Sequence, residues 1–262
     1  MNESVMNISN SQLMLTYLFA LIAMLITSFN GINRNKDIVV GTLRMTVQLF
    51  IAGFILVYIF DRASFILSAL MIVVMEFFAI FNIITNKKGK LNSGLKRTLI
   101  LAQVIGTIFT LAFFLIIVVR PKPIYNPQYL IPLGGMIIGN SMTGINLALN
   151  QMLESIENNR SSIEGSLMLG ASPRMAMDKI IQNAFDTAIT PTLNSIKNMG
   201  IISLPGMMTG QILGGVSPLI AIRYQIAIMT AIMSSVAICV FIFLHLGYKN
   251  FFNDQKQLVK IQ

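Results

Sequence analysis

The residues that could do chemistry are few, and most sit inside apolar runs. Glu76 is a lone carboxylate in an otherwise hydrophobic stretch. A charge at the middle of a bilayer costs roughly 2.5–3.5 kcal/mol, so this side chain must face other protein or carry a proton. Arg44 is a candidate partner, lying about 9 Å deep in its own run, with Glu76 about 14 Å deep from the same surface. A long arginine side chain can bridge that difference. The residues therefore read as a structural Arg44–Glu76 ion pair, as Arg44 reaching back to headgroups, or as Glu76 standing on a cation pathway. Asn140 and Ser141 lie in a glycine-rich apolar run beside Gly134, Gly135 and Gly139. In Ser203-Leu-Pro-Gly-Met-Met, Pro205 and Gly206 loosen the backbone and free carbonyls for a cavity. Met207 and Met208 there offer soft sulfur, which suits Cu(I) better than a hard ferric ion. Most of the eighteen methionines read as adaptable apolar filler. Glu76, Asn140 and the carbonyls near Pro205 make the better set for a hard cation. Ser141, Met207 and Met208 complete the candidate pathway.

Two enzymatic readings fail on their residues. Gly139-Asn140-Ser141-Met142 is similar to the Gly-x-Ser-Gly pattern of intramembrane serine proteases, with His245 as base. Met142 stands where glycine is needed. Ser141 falls near mid-bilayer and His245 in the last turn of its run, out of hydrogen-bond reach. Gly165 to Ser172 spaces its glycines like a Walker A loop, but Ala171 replaces the lysine that must reach the phosphates. The single cysteine, Cys239, excludes a disulfide framework and a cysteine-rich metal site. We expect no catalysis and no cofactor on this chain.

The elements that position these residues follow from composition. Of 262 residues, 55% are hydrophobic and only 11% charged, against roughly 25% charged in soluble domains. The mean hydropathy is +0.73. This excludes a disordered chain, a coiled coil and a soluble enzyme. The net charge of +9 would suggest nucleic acid in a soluble protein. Here the cations sit in short loops between apolar runs, where topology and anionic headgroups account for them. We expect no nucleic-acid partner.

Seven apolar runs predict seven membrane helices, at about 11–30, 38–60, 64–85, 98–119, 128–150, 196–216 and 219–246. Helices rather than strands follow because an unpaired amide in hydrocarbon costs several kcal/mol and these runs do not alternate. The sixth run carries Asn198, Ser203, Pro205 and several glycines, and reads as continuous, broken or re-entrant. The N-terminus lacks the cations of a cleaved leader, so the first run is expected to be retained. Fourteen Lys and Arg fall on one side, including Lys87, Lys88, Lys90, Lys96, Arg97 and Lys260, against Arg62, Arg120 and Lys122 on the other. The positive-inside rule then places the N-terminus outside and the C-terminus in the cytoplasm.

One polar segment, 151–195, breaks the pattern. It predicts two helices around a sharp turn inserted into a single permease domain, 1–262, on the cytoplasmic side. Ser172 is a good N-cap and Pro173 suits the first helical position. Gly170 supplies the backbone freedom to end the first helix. Met177, Ile181, Ala184 and Ala188 recur at helical spacing with Ile180 and Phe185 beside them. Pro191 is expected to mark the return to the membrane. The elbow reads as an interfacial helix or as a docking element for a cytoplasmic partner.

A resemblance adds to this. Glu164, Gly170 and Ile180 fall in the register of the coupling motif of ABC-transporter permeases, with Gly165-Ser166 and Gln182-Asn183 departing from it. The fuller strings GGMIIGNSMTG at 134–144, SLMLGASP at 166–173, SLPGMMTGQILGG at 203–215 and AIRYQI at 221–226 resemble the bacterial iron-export ABC permease family. That family includes plant membrane subunits linked to aluminium tolerance. The resemblance implies an all-α polytopic permease of the bacterial cytoplasmic membrane, two copies working with separate ATP-binding subunits that carry the ATP. It implies coupling through Glu164, Gly170, Ala171, Ser172 and Pro173, and export of iron or a related metal cation by alternating access. From the residues alone, a proton-coupled secondary transporter and a non-transporting scaffold remain alternatives.

Overall fold

The computed structural model describes residues 8–62, 64–85 and 91–259. Among these residues the chain is all-helical, with nine α-helices. Lys87, Lys88, Lys90 and Lys260, counted above for orientation, and the first seven residues lie outside the described residues. The chain divides into two compact units, one built on residues 1–63 with 213–215, the other on 64–212 with 216–262.

The first unit is a helical hairpin. Helix α1 (Asn10–Phe29) starts at a capping box, in which Ser9 Oγ accepts from the Gln12 amide and Gln12 Oε1 from the Ser9 amide. Such reciprocal bonds satisfy two of the amides a helix start leaves free. A turn with Gly31 at φ +67° leads to α2 (Asn35–Arg62). The two helices are tied by Tyr17 Oη to Thr46 Oγ1 at 2.7 Å and by Thr27 Oγ1 donating to Asn35 Oδ1 at 2.8 Å. Between them runs an apolar groove of about 830 Å³ lined by Leu13, Tyr17, Met45, Leu49, Phe50 and Phe54. No residue of α1 is buried, and in α2 only Ile59 is.

The second unit holds the core. Helices α3 (Phe65–Thr85) and α4 (Ser93–Phe113) come first, α4 continuing as a π-helical turn, Phe114–Val119. Then follow α5 (Pro127–Asn158), α6 (Arg160–Met168), α7 (Pro173–Asn198), the short α8 (Gly206–Leu213) and α9 (Pro218–Gly247), which tightens into a 3₁₀ turn, Tyr248–Phe251. Leu99 and Ala102 of α4, Ile145, Leu149 and Met152 of α5, Met177 and Ala184 of α7, and Val236, Val240 and Phe243 of α9 pack into one core cluster. The C-terminal tail folds back onto the bundle. Phe251 and Leu258 are buried, Asn92 Nδ2 donates to the Asn250 carbonyl at 2.9 Å, and Arg160 Nη2 donates to the Leu258 carbonyl at 3.2 Å.

Among the described residues five helices are long and apolar enough to cross a membrane: α1, α2, α3, α4 with its π turn, and α9 with its 3₁₀ turn. They match the first four expected runs and the seventh. The fifth run lies inside α5, whose polar and glycine residues lower its hydropathy and which continues to Asn158. The sixth is interrupted. α7 stops at Asn198, Gly200 turns at φ +86°, and α8 has only eight residues, about 12 Å against a hydrocarbon core of about 30 Å. Pro205 enforces the break by disfavouring helix in the residue before it.

The segment 151–195 also differs from expectation. Residues up to Asn158 belong to α5, and the two helices around the turn are α6 and α7. Pro191 does not end α7, which runs through it to Asn198. Met177, Ile180, Ile181, Ala184 and Ala188 are buried as their spacing predicted, but in the bundle core shared with α5 and α9. What stands clear is the turn: Met168 is 87% exposed and Leu169 92%.

Candidate functional site

Helices α3, α4, α5 and α9 bring a chain of polar side chains into the interior of the second unit. Glu76 on α3 is 7% exposed. The Thr107 hydroxyl of α4 donates to Glu76 Oε1 and lies 2.7 Å from the Gln103 carbonyl. Gln103 and Thr107 are four residues apart and so share one helix face. The Gln103 side chain, wholly buried, lies beside the Glu76 carboxylate and donates through Nε2 to the Ile138 carbonyl of α5 at 3.3 Å. Cys239 Sγ of α9 is 3.9 Å from the Gln103 carbonyl. One turn earlier on α9, Ser235 Oγ bonds Ser141 Oγ of α5 at 2.8 Å, both side chains fully buried.

Glycine sets this spacing. A Cβ on Gly106 would collide with Cys239 Sγ and stand 3.1 Å from the Cys239 amide nitrogen. A Cβ on Gly144 would lie 2.7 Å from Val236 Cγ1. Close approaches also fall at Gly134, against the Ile72 side chain of α3, and at Gly94, against the Asn250 side chain. At Gly139, Gly206 and Gly210 nothing lies within 4 Å.

Of the expected pathway residues, Glu76 and Ser141 join this cluster. Asn140 does not: it is exposed, its amide donating to the Met136 carbonyl at 2.8 Å. Pro205, Met207 and Met208 lie at the start of α8. The Pro205 carbonyl is not free, since it accepts from the Thr209 amide at 3.0 Å and hydroxyl at 3.1 Å. Met207 and Met208 pack as apolar residues, Met208 buried. Arg44 lies on α2, in the other unit. Ser141 and His245 are not assembled for nucleophilic chemistry. Ser141 bonds Ser235, which is ten residues and about 15 Å from His245 along α9, and His245 stacks on Phe241 at 5.4 Å. Among the described residues no three His, Cys, Asp or Glu side chains group to hold a metal.

Gln103, Thr107, Ser235 and Cys239 escaped the sequence reading as site residues. Their signal was the four-residue spacing of each pair inside an apolar run, too common among packed membrane helices to stand out alone.

The elbow is the second feature. Glu164 pairs with Arg160 at 2.9 Å. Gly170 turns at φ +88°, and the Ser166 carbonyl accepts from the Ala171 amide at 3.0 Å. Ser172 caps α7 by accepting from the Met175 amide at 3.3 Å, with Pro173 in the first turn. The Arg174 guanidinium lies 5.4 Å from the Tyr248 ring centroid. Met168, Leu169 and Met175 stand exposed around the turn, an apolar tip on a polar stem.

An all-helical chain with several helices long and apolar enough to cross a membrane, packed around an apolar core that holds a small polar cluster, defines a multi-pass membrane protein. The profile of the Uncharacterised protein family (UPF0014) matches residues 10–252, and the chain belongs to that family. It is 32% identical to the Probable iron export permease protein FetB of Escherichia coli, over 98% of this chain and 97% of that one. It is 36% identical to the membrane protein YjkA of Bacillus subtilis, over 94% and 96%. With Protein ALUMINUM SENSITIVE 3 of Arabidopsis thaliana it shares 33% identity, over 91% and 85%. No solved structure matches the chain. A role as a transport permease agrees with this membership.

Proposed function

We propose that the chain is the membrane subunit of an ABC-type exporter, driven by a separate ATP-binding subunit and moving iron or a related metal cation outward. The observation that carries this reading is the elbow. An apolar tip, Met168 and Leu169, projects from a capped turn and continues directly into α7, which packs against the helices carrying Ser141, Ser235 and Cys239. The Ala188 carbonyl of α7 lies 3.8 Å from the Cβ position of Gly144 on α5. A push on the tip is therefore delivered to the helices around the polar cluster without an intervening flexible loop. Apolar residues exposed at the end of a helical hairpin suit a groove on a partner. Similarity over nearly the full length to a protein named as an iron export permease supports the cargo class.

In this reading two copies of the chain work with two ATPases, since each chain offers one elbow. The bundle lies in the bacterial cytoplasmic membrane with the elbow and C-terminus inside and the N-terminus outside. Glu164, Gly170, Ala171, Ser172 and Pro173 shape the elbow that meets the ATPase.

The test is co-reconstitution with a candidate ABC-type ATP-binding subunit from the same organism. ATPase activity should rise when the chain is present, and iron should move only with ATP. Leu169→Asp should abolish the stimulation while leaving the unfolding temperature unchanged. Uphill transport by the chain alone, without nucleotide, would overturn the proposal.

A further inference from the structure

The polar cluster contains an unsolved pairing. Glu76 Oε1 accepts from Thr107, but Glu76 Oε2 is sealed from solvent and has no partner. Gln103 is wholly buried, uses its amide N–H on Ile138, and leaves its own Oε1 without a donor. A buried acceptor without a donor costs about 1–3 kcal/mol, and an unpaired carboxylate costs far more. Glu76 Oε2 and Gln103 Oε1, on residues linked through Thr107, are thus both buried acceptors without a donor.

Charge narrows what can fill the gap. Among the described residues of the second unit, the polar side chains brought to Glu76 are Gln103 and Thr107 from α4, with Ser141 from α5 and Ser235 and Cys239 from α9 beyond them. Cys239 is the one other titratable group among them. Lys96 and Arg97, at the start of α4, are exposed. A single carboxylate with neutral neighbours is balanced by one positive charge. A divalent or trivalent ion would leave net charge in the bundle and would find one anionic ligand. A proton serves both orphans at once: placed on Glu76 Oε2, it makes a hydroxyl that donates to Gln103 Oε1.

We propose that Glu76, Gln103 and Thr107 form a proton-binding site, with the proton on Glu76 Oε2, Gln103 Oε1 as its acceptor, and Thr107 fixing the second carboxyl oxygen. This deepens the placement of Glu76 on the pathway: the residue carries a proton and does not ligate iron. The site rests on the pairing inside the second unit and needs no ATPase.

Infrared difference spectroscopy on the purified full-length chain tests it. Wild type minus Glu76→Gln should show the carbonyl stretch of a protonated carboxylic acid, shifting downward in heavy water. Gln103→Leu, or Gln103→Met as a second variant of closer shape, should move that band to higher frequency as its hydrogen bond is lost. Carboxylate stretches in place of the acid band would overturn the proposal. So would an acid band that stays put in both Gln103 variants. ATPase stimulation is read separately, so its absence with the acid band intact would count against the partner alone.

Discussion

The α1–α2 hairpin and the α3–α9 bundle have similar apolar content but use it in opposite ways. In the bundle, Leu149 and Met152 are fully buried and the helices touch through glycine. In the hairpin, Phe19 is 75% exposed and Phe54 76%, and side-chain hydrogen bonds do much of the joining. Hydrophobicity therefore does not indicate burial in this chain. A bilayer solvates apolar side chains, so only shape complementarity separates a packed helix from a lipid-facing one.

The largest contrast should come from deleting apolar volume. Leu149→Ala opens a cavity and should cost about 2–5 kcal/mol, read as a lowered thermal midpoint in detergent. Leu15→Ala on α1, at a residue 62% exposed, should change the midpoint by less than about 0.5 kcal/mol. Equal losses would mean that the hairpin is packed against a partner.

Glycine sharpens the comparison next. Gly106→Ala meets Cys239 backbone and should cost about 1–3 kcal/mol by overpacking. Gly53→Ala has nothing within 4 Å and should be neutral or stabilising by up to about 1 kcal/mol through helix propensity. Thermal unfolding of both variants against wild type gives the sign.

The smallest effect concerns polar pairs. Ser141→Ala removes the Ser141–Ser235 bond and should cost about 0.5–1.5 kcal/mol, and the double variant with Ser235→Ala should add little more. Tyr17→Phe should cost less, about 0.5 kcal/mol, because Thr46 keeps its bond to the Thr42 carbonyl at 2.9 Å. Matching losses in the two regions would erase the distinction between a packed bundle and an exposed hairpin.

What the sequence made legible was local chemistry. Ser172, Pro173 and Gly170 announced the elbow because capping and left-handed turns depend on residues a few positions apart. Glu76 stood out because a lone acid in an apolar run has few explanations. The buried face of α7 was readable from its period, but its location was not: the same period fits a surface helix and a packed one. Pro191 does not end α7, because neighbouring helices can hold a proline-bearing helix together, whereas the break in 196–216 was legible as one option because Pro205 and the glycines oppose helix. Gln103, Thr107, Ser235 and Cys239 were invisible because which face of an apolar helix meets its neighbour is decided between helices.

The folded-back tail has a practical consequence. Leu258 is buried and its carbonyl accepts from Arg160, the residue that also pairs with Glu164 on α6. One arginine therefore fastens both the tail and the stem of the elbow. Arg160→Ala should loosen the two together, and a spin label at the exposed Asp254 would register the release.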